Sequence, residues 1–280
     1  TSTAIVLLLL LNCTFCLALW CYDTQYSCEE SCRGEVPHTI NFPSCRGLRQ
    51  SPINIVTSKA HSNSALPPFN FIGHNKQINV TTFSLPQSVR LSGGGLPGNY
   101  RAANFHFHWG REGSPGSEHT IDGERLPMEM HIVHIKEPYG SLAEAEHDMA
   151  GIALLAFLFQ VIYQILLMLK MSTLFEKNTL LDIVPSASEL HSYYRYVGSM
   201  TTPGCEQDVA WTVFKRMLPI SSRQLNALVL KCRFWTGQPM IDNFRPIQPL
   251  DGRVVYKSNS DSLFPSLTLL ILSFTSYLEI

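Results

Sequence analysis

Four consecutive residues, Phe105-His106-Phe107-His108, constrain this chain more than any other stretch. In a β-strand successive side chains alternate between faces, so the two imidazoles point one way and the two phenyl rings the other. The run sits in the block Asn104-Phe105-His106-Phe107-His108-Trp109-Gly110, and a second block follows, Met128-Glu129-Met130-His131-Ile132-Val133-His134. A neighbouring strand built from the second block brings in a third imidazole, His131. Three neutral imidazoles with a fourth position open are how catalytic zinc is held, whereas structural zinc sites usually close with cysteines. Any one of these histidines alone reads as a surface or satisfied core residue. Together, in paired aromatic strands, they read as a metal site.

The chain has 280 residues, 45% hydrophobic and 15% charged, with a net charge of −1. That balance offers nucleic acid no electrostatic footing. Ile5-Val6-Leu7-Leu8-Leu9-Leu10-Leu11, with small Ala18 ahead of Trp20, reads as a secretory signal peptide over residues 1–18. At the other end, Ser258-Asn259-Ser260 precede a short polar spacer and an apolar tail. This composes a GPI-attachment signal with Ser258 as the modified residue and 259–280 as a removed propeptide. The competing reading is one uncleaved C-terminal helix, but Pro265 and several Ser and Thr interrupt the tail and no basic cluster follows it. Residues 19–258 then form one large domain. Six cysteines follow the leader (Cys21, Cys28, Cys32, Cys45, Cys205 and Cys232), and in a secreted chain they read as disulfides with fifteen possible pairings.

Strands are expected at 53–56, 77–83 and 88–91. Gly93-Gly94-Gly95-Leu96-Pro97-Gly98 formally spells a dinucleotide-binding fingerprint, but no helix start follows. It reads as a glycine turn between strands. The apolar run 149–169 is long enough for a membrane span, yet a span would part the histidine strands from the segment around Thr201. The preferred reading is a buried strand over 152–159 followed by an apolar helix over 163–169.

The ordered blocks resemble the α-class carbonic anhydrases, in particular their secreted, GPI-anchored, type-IV-like branch. They are Gln50-Ser51-Pro52-Ile53-Asn54-Ile55, the two histidine strands, Gly116-Ser117-Glu118-His119-Thr120-Ile121-Asp122-Gly123-Glu124, Tyr196-Val197-Gly198-Ser199-Met200-Thr201-Thr202-Pro203-Gly204-Cys205 and Asn243-Phe244-Arg245-Pro246-Ile247-Gln248-Pro249-Leu250. The resemblance implies an α+β, mostly β fold: a large, twisted, mainly antiparallel central sheet with short peripheral helices. It also implies reversible hydration of CO2 to bicarbonate, with Zn2+ as cofactor and the outer face of the cell membrane as location.

Carried over by position, His106, His108 and His131 are the zinc ligands, and zinc brings the pKa of water down to about 7. Thr201 is the hydroxyl that accepts a hydrogen bond from the hydroxide so formed, with its own proton committed to Glu118. A hydroxyl both donates and accepts, whereas a carboxylate only accepts. Thr202 is a substrate contact. Val133, Leu154, Met200, Val209 and Trp211 form the apolar wall for uncharged CO2, with Met200 replacing the usual leucine. Glu129 orients His131, and Asn104 stands beside His106 where the family has the longer glutamine. Cys45 and Cys205 match a bridged pair, and Cys21 with Cys32 is a second pairing.

Two stretches depart from the family pattern, 71–80 and 160–170, both shorter than in relatives. In the first, the usual proton-shuttle histidine is missing from its motif. Either His74 is that shuttle displaced, a role its ordinary pKa suits, or Lys76 stands at the site and relays poorly. Asn79-Val80-Thr81 is a glycosylation sequon. Two rival functions remain: a related binding ectodomain without turnover, and a structural zinc module, whose closed cysteine sphere is absent from the sequence.

Overall fold

A computed structural model describes residues 42–77, 85–162, 179–202, 204–234 and 237–258. The leader, the tail, Cys21, Cys28, Cys32, the Asn79 sequon, the expected helix over 163–169 and most of the expected strand over 77–83 lie outside the described residues.

The strands in chain order are β1 (Asn54–Ile55), β2 (His61–Asn63), β3 (Phe69–Ile72), β4 (Arg90–Gly93), β5 (Tyr100–Trp109), β6 (Thr120–Ile121), β7 (Glu124–Arg125) and β8 (Met128–Lys136). They continue as β9 (Ile152–Val161), β10 (Tyr193–Ser199), β11 (Gln207–Ile220) and β12 (Tyr256–Ser258). Helix α1 spans Leu142–Ala145 and α2 spans Ser222–Lys231. Nine strands form one sheet in the order β2-β12-β10-β11-β9-β8-β5-β4-β3, and β1, β6 and β7 form a small second sheet. In the large sheet only the β9–β11 and β2–β12 pairs are parallel, so the expected mainly antiparallel, mostly β architecture is what forms.

The sheet is covered on both sides. Phe105, Phe107, Met130, Ile132, Leu155, Phe157 and Phe214 pack in the larger buried cluster. Val133, Leu154, Met200, Val209, Trp211 and Val213 pack in the smaller one on the other face. Burial on both sides explains why β9 reads as an unbroken apolar run rather than an alternating one. The segment expected as a strand over 152–159 is β9, two residues longer. Among the described residues no helix is long and apolar enough to cross a membrane.

Gly93, Gly94 and Gly95 all take positive φ (78°, 59° and 72°). They turn the chain from β4 towards β5, a conformation other residues adopt only at a cost. Cys45 and Cys205 are joined by a disulfide across 160 residues, the pairing the resemblance implied. Cys232 is disulfide-bonded as well.

Candidate metal centre

Strand register assembles the site. β5 and β8 are antiparallel neighbours in which His106 pairs with His131, His108 with Glu129, and Asn104 with Val133. Directly paired residues share a face, so ligands, carboxylate and apolar wall stand side by side. The next strands extend the rows: Val133 pairs with Leu154 and Leu154 with Trp211, while His131 pairs with Ala156. The Trp211 ring lies edge-on to the His131 imidazole at 4.8 Å.

The three imidazoles converge. His108 Nε2 lies 3.0 Å from His131 Nδ1, which lies 3.3 Å from His106 Nε2. On each ring the other nitrogen faces an oxygen acceptor, which sets the tautomer. His108 Nδ1 donates to the Asn243 carbonyl at 2.7 Å, His131 Nε2 to Glu129 Oε1 at 2.8 Å and His106 Nδ1 to Asn104 Oδ1 at 3.3 Å. The converging nitrogens therefore present lone pairs to one another, a repulsive arrangement unless a cation lies between them. Tetrahedral zinc with nitrogens at about 2.0–2.1 Å places those nitrogens about 3.3–3.4 Å apart, close to the spacing found. His108 and His131 are buried and His106 is partly exposed, so the cluster opens on the His106 side. Burial, reinforced by the neighbouring imidazoles, holds His106 well below the ordinary histidine pKa. Burial also lowers His108, against the opposing charge of Glu118. Neutral imidazole is the form a metal needs.

Behind the ligands lies a directed chain of hydrogen bonds. Glu129 receives the His119 amide at 2.7 Å and His119 Nδ1 at 2.6 Å as well as His131. His119 Nε2 must then accept from the Tyr196 hydroxyl at 2.7 Å, which leaves Ser51 Oγ to donate to Tyr196 at 2.8 Å. Burial alone would raise the Glu129 carboxyl, but the His119 and His131 imidazoles hold it well below the usual carboxylate range. Gly198 makes room for this chain: a Cβ there would sit 2.1 Å from Ser51 Oγ and 2.8 Å from the Trp211 ring. The grouping of His119, Glu129 and His131 also has the spacing of a metal site, but its atoms are already bonded to one another.

Glu118 is fully buried. Its Oε1 accepts the Arg245 amide at 2.7 Å, while Oε2, 3.9 Å from the metal-facing His131 Nδ1, has no hydrogen-bond partner. Thr201 is buried just beyond β10, and the Thr202 carbonyl accepts the Cys205 amide at 3.0 Å. Val133, Leu154, Met200, Val209 and Trp211 all belong to the one buried cluster on this face.

Two sequence expectations fall elsewhere. His74 is not brought to the cluster. It is 2% exposed, donates through Nδ1 to the Ile72 carbonyl, and its electrostatic partner is His134. Strand alternation turns His134 to the face opposite His131. Burial also pulls the His74 pKa down to about 4, which removes the property that suited it to proton relay. Ser258 closes β12, buried, with its hydroxyl donating to the His191 carbonyl and accepting the Tyr193 amide. Three contributors carried no role in the sequence reading: His119, the carbonyl of Asn243 and the amide of Arg245. Each lay inside a matching block, yet only the fold shows what it touches.

A family model for eukaryotic-type carbonic anhydrase matches residues 35–259. The chain belongs to that family. It is 36% identical to carbonic anhydrase 4 of Rattus norvegicus over 290 residues, covering 91% of this chain and 93% of the relative. It is 38% identical to carbonic anhydrase 4 of Oryctolagus cuniculus, with coverages of 86% and 84%. With carbonic anhydrase 12 of Homo sapiens the identity is 34%, with coverages of 81% and 71%. Membership in this family makes the protein a carbonate dehydratase, a lyase acting on CO2 and bicarbonate.

Proposed function

We propose that this carbonic anhydrase is zinc-dependent and works at the extracellular face of the cell membrane, held by a GPI anchor. The convergence of three imidazole lone pairs, each fixed by an acceptor on the far side of its ring, supports the zinc assignment. His106, His108 and His131 hold the ion, and a zinc ion there supplies the Lewis acidity that makes water nucleophilic at neutral pH. Glu129 and the Asn243 carbonyl keep the ligand nitrogens aimed at the ion. Thr201 orients the nucleophile by accepting its hydrogen bond, and gives its own proton to Glu118, whose Oε2 is the acceptor left open. CO2 rests against Val133, Leu154, Met200, Val209 and Trp211 beside Thr202, where an apolar wall suits an uncharged substrate better than water does.

Residues 1–18 are read as leader, 19–258 as the enzyme and 259–280 as the anchor signal. β12, one strand in from the β2 edge, ends at Ser258, so an anchor joined there leaves no linker between the sheet and the lipid. Stopped-flow CO2 hydration with parallel zinc analysis tests the chemistry: turnover should scale with bound zinc, vanish on chelation and return with added zinc. Full zinc without turnover would overturn it. Phosphatidylinositol-specific phospholipase C tests the anchor, which is refuted if active enzyme stays on treated cells while a lipid-anchored control is released.

A further inference from the structure

The last strand reaches Ser258 beside a group of exposed apolar side chains. β10 and β12 run antiparallel, with Arg195 opposite Tyr256 and Tyr194 opposite Lys257. Val255 is buried in the cluster on the metal face. Alternation turns its neighbours Val254 and Tyr256 to the other side, where they are 41% and 39% exposed. Val197, two residues beyond Arg195 on β10, shares that side and is 40% exposed.

Arg253 fixes these residues to one another. Its Nη1 donates to the Val197 carbonyl at 3.1 Å, its Nε to the Leu250 carbonyl at 2.9 Å and its Nη2 to the Pro249 carbonyl at 2.7 Å. The guanidinium lies over the Tyr196 ring, 5.7 Å from its centroid. Leu250 is thereby held at the same edge, and it too is 40% exposed. Apolar side chains scattered singly over a surface are ordinary. A fixed group of four that runs into the end of the described chain is not, and contiguous patches of this kind mark an interaction surface. Its position decides what covers it. Tyr256 stands two residues before Ser258, so the patch begins within about 7 Å of the residue read as the lipid attachment point. Tyrosine is favoured at the boundary between headgroups and acyl chains, and apolar side chains gain by leaving water there.

We propose that Val197, Val254 and Tyr256, with Leu250, rest on the phospholipid surface beside the anchor, so that this edge of the sheet faces the bilayer. The proposal rests on the reading of Ser258 as the anchored residue. It is tested on the mature protein in phosphatidylcholine vesicles, with a nitroxide on Val254→Cys and, as a control, on Ser188→Cys at another exposed position. Power-saturation spectra should show the label at 254 shielded from an aqueous nickel chelate and open to oxygen, with the label at 188 in water. An aqueous label at 254 overturns the proposal. After phospholipase removes the acyl chains, the released protein should still sediment weakly with vesicles. Combined Val197→Lys, Val254→Lys and Tyr256→Lys should weaken that binding by about tenfold or more, equivalent to about 1.4 kcal/mol, with CO2 hydration unchanged. Equal sedimentation of parent and variant overturns the proposal. So does self-association of the released protein that the three lysines abolish, which would assign the patch to a second copy of the chain. If no lipid is found at Ser258, the soluble chain enters the same vesicle assay directly, so the anchor reading and the patch fail separately.

Discussion

His131 and His134 stand three residues apart on β8, both fully buried and facing opposite sides of one sheet. On the metal side, partners arrive from several directions: Glu129 from the same strand, His119 from the 117–120 segment, and the Asn243 carbonyl and Arg245 amide from the 237–249 loop. With Asn104 beside His106, they commit the outer nitrogen of each of the three imidazoles and leave the inner ones convergent. On the other side the imidazoles meet backbone carbonyls alone, Ile72 for His74 and Ile132 and Ala153 for His134. The residue type is the same on both faces. What separates the two faces is the supply of acceptors behind the rings.

The sharpest way to break this comparison is to remove a ligand. Alanine at His106, His108 or His131 should abolish stoichiometric zinc and nearly all turnover, because three ligands leave no redundancy; metal analysis and stopped-flow rates check it. Thr201→Ala should keep zinc while lowering kcat by about 100-fold or more, the usual cost of one preorganised hydrogen bond to the reacting group. A parental rate would remove Thr201 from the machinery. Glu129→Gln should weaken zinc affinity by about 10–100-fold, measured by competition with a chelator, since a neutral amide is a poorer acceptor for both His119 and His131.

The opposite face should instead reveal itself through acid. His74 and His134 have folded pKa values lowered by burial to about 4 and about 3, against about 6.5 in the unfolded chain. As pH falls below 6.5 the unfolded state takes up protons first, so stability is lost from there down towards the folded values. Each histidine contributes a slope of up to about 1.4 kcal/mol per pH unit, or about tenfold in the folding equilibrium. Urea midpoints of the chelated protein across pH 4–7 should fall less steeply for His74→Phe than for the parent.

The convergence of the imidazoles was legible because a period of two is local: His-x-His in an aromatic run has one extended reading, and a neighbouring histidine strand brings in His131. β9 was legible by the same logic once a membrane span was set aside. The supporting groups were not. A backbone carbonyl at 243 and an amide at 245 have no side-chain signature, and their roles depend on a loop docking along β5, where Asn243 Oδ1 accepts the Trp109 amide at 2.6 Å. His74 carried an ordinary pKa in the sequence and lost it to burial, which depends on how the turn after β3 folds against β4.

The Cys45–Cys205 bridge encloses 160 residues of sequence, among them every strand from β1 to β10. Chain-entropy reasoning assigns a loop of that size about 5 kcal/mol of stabilisation. It also sets an order of events during synthesis. At about 5–20 residues per second, roughly 10–30 s separate the emergence of the two sulfurs. Through that interval the two histidine strands, β5 and β8, exist without their closing bond, and Cys45 stays open to whichever thiol reaches it first. The Thr201 loop, four residues from Cys205, is therefore among the last parts of the site to be locked, and a cell that oxidises this chain too early would trap it before its metal face is complete.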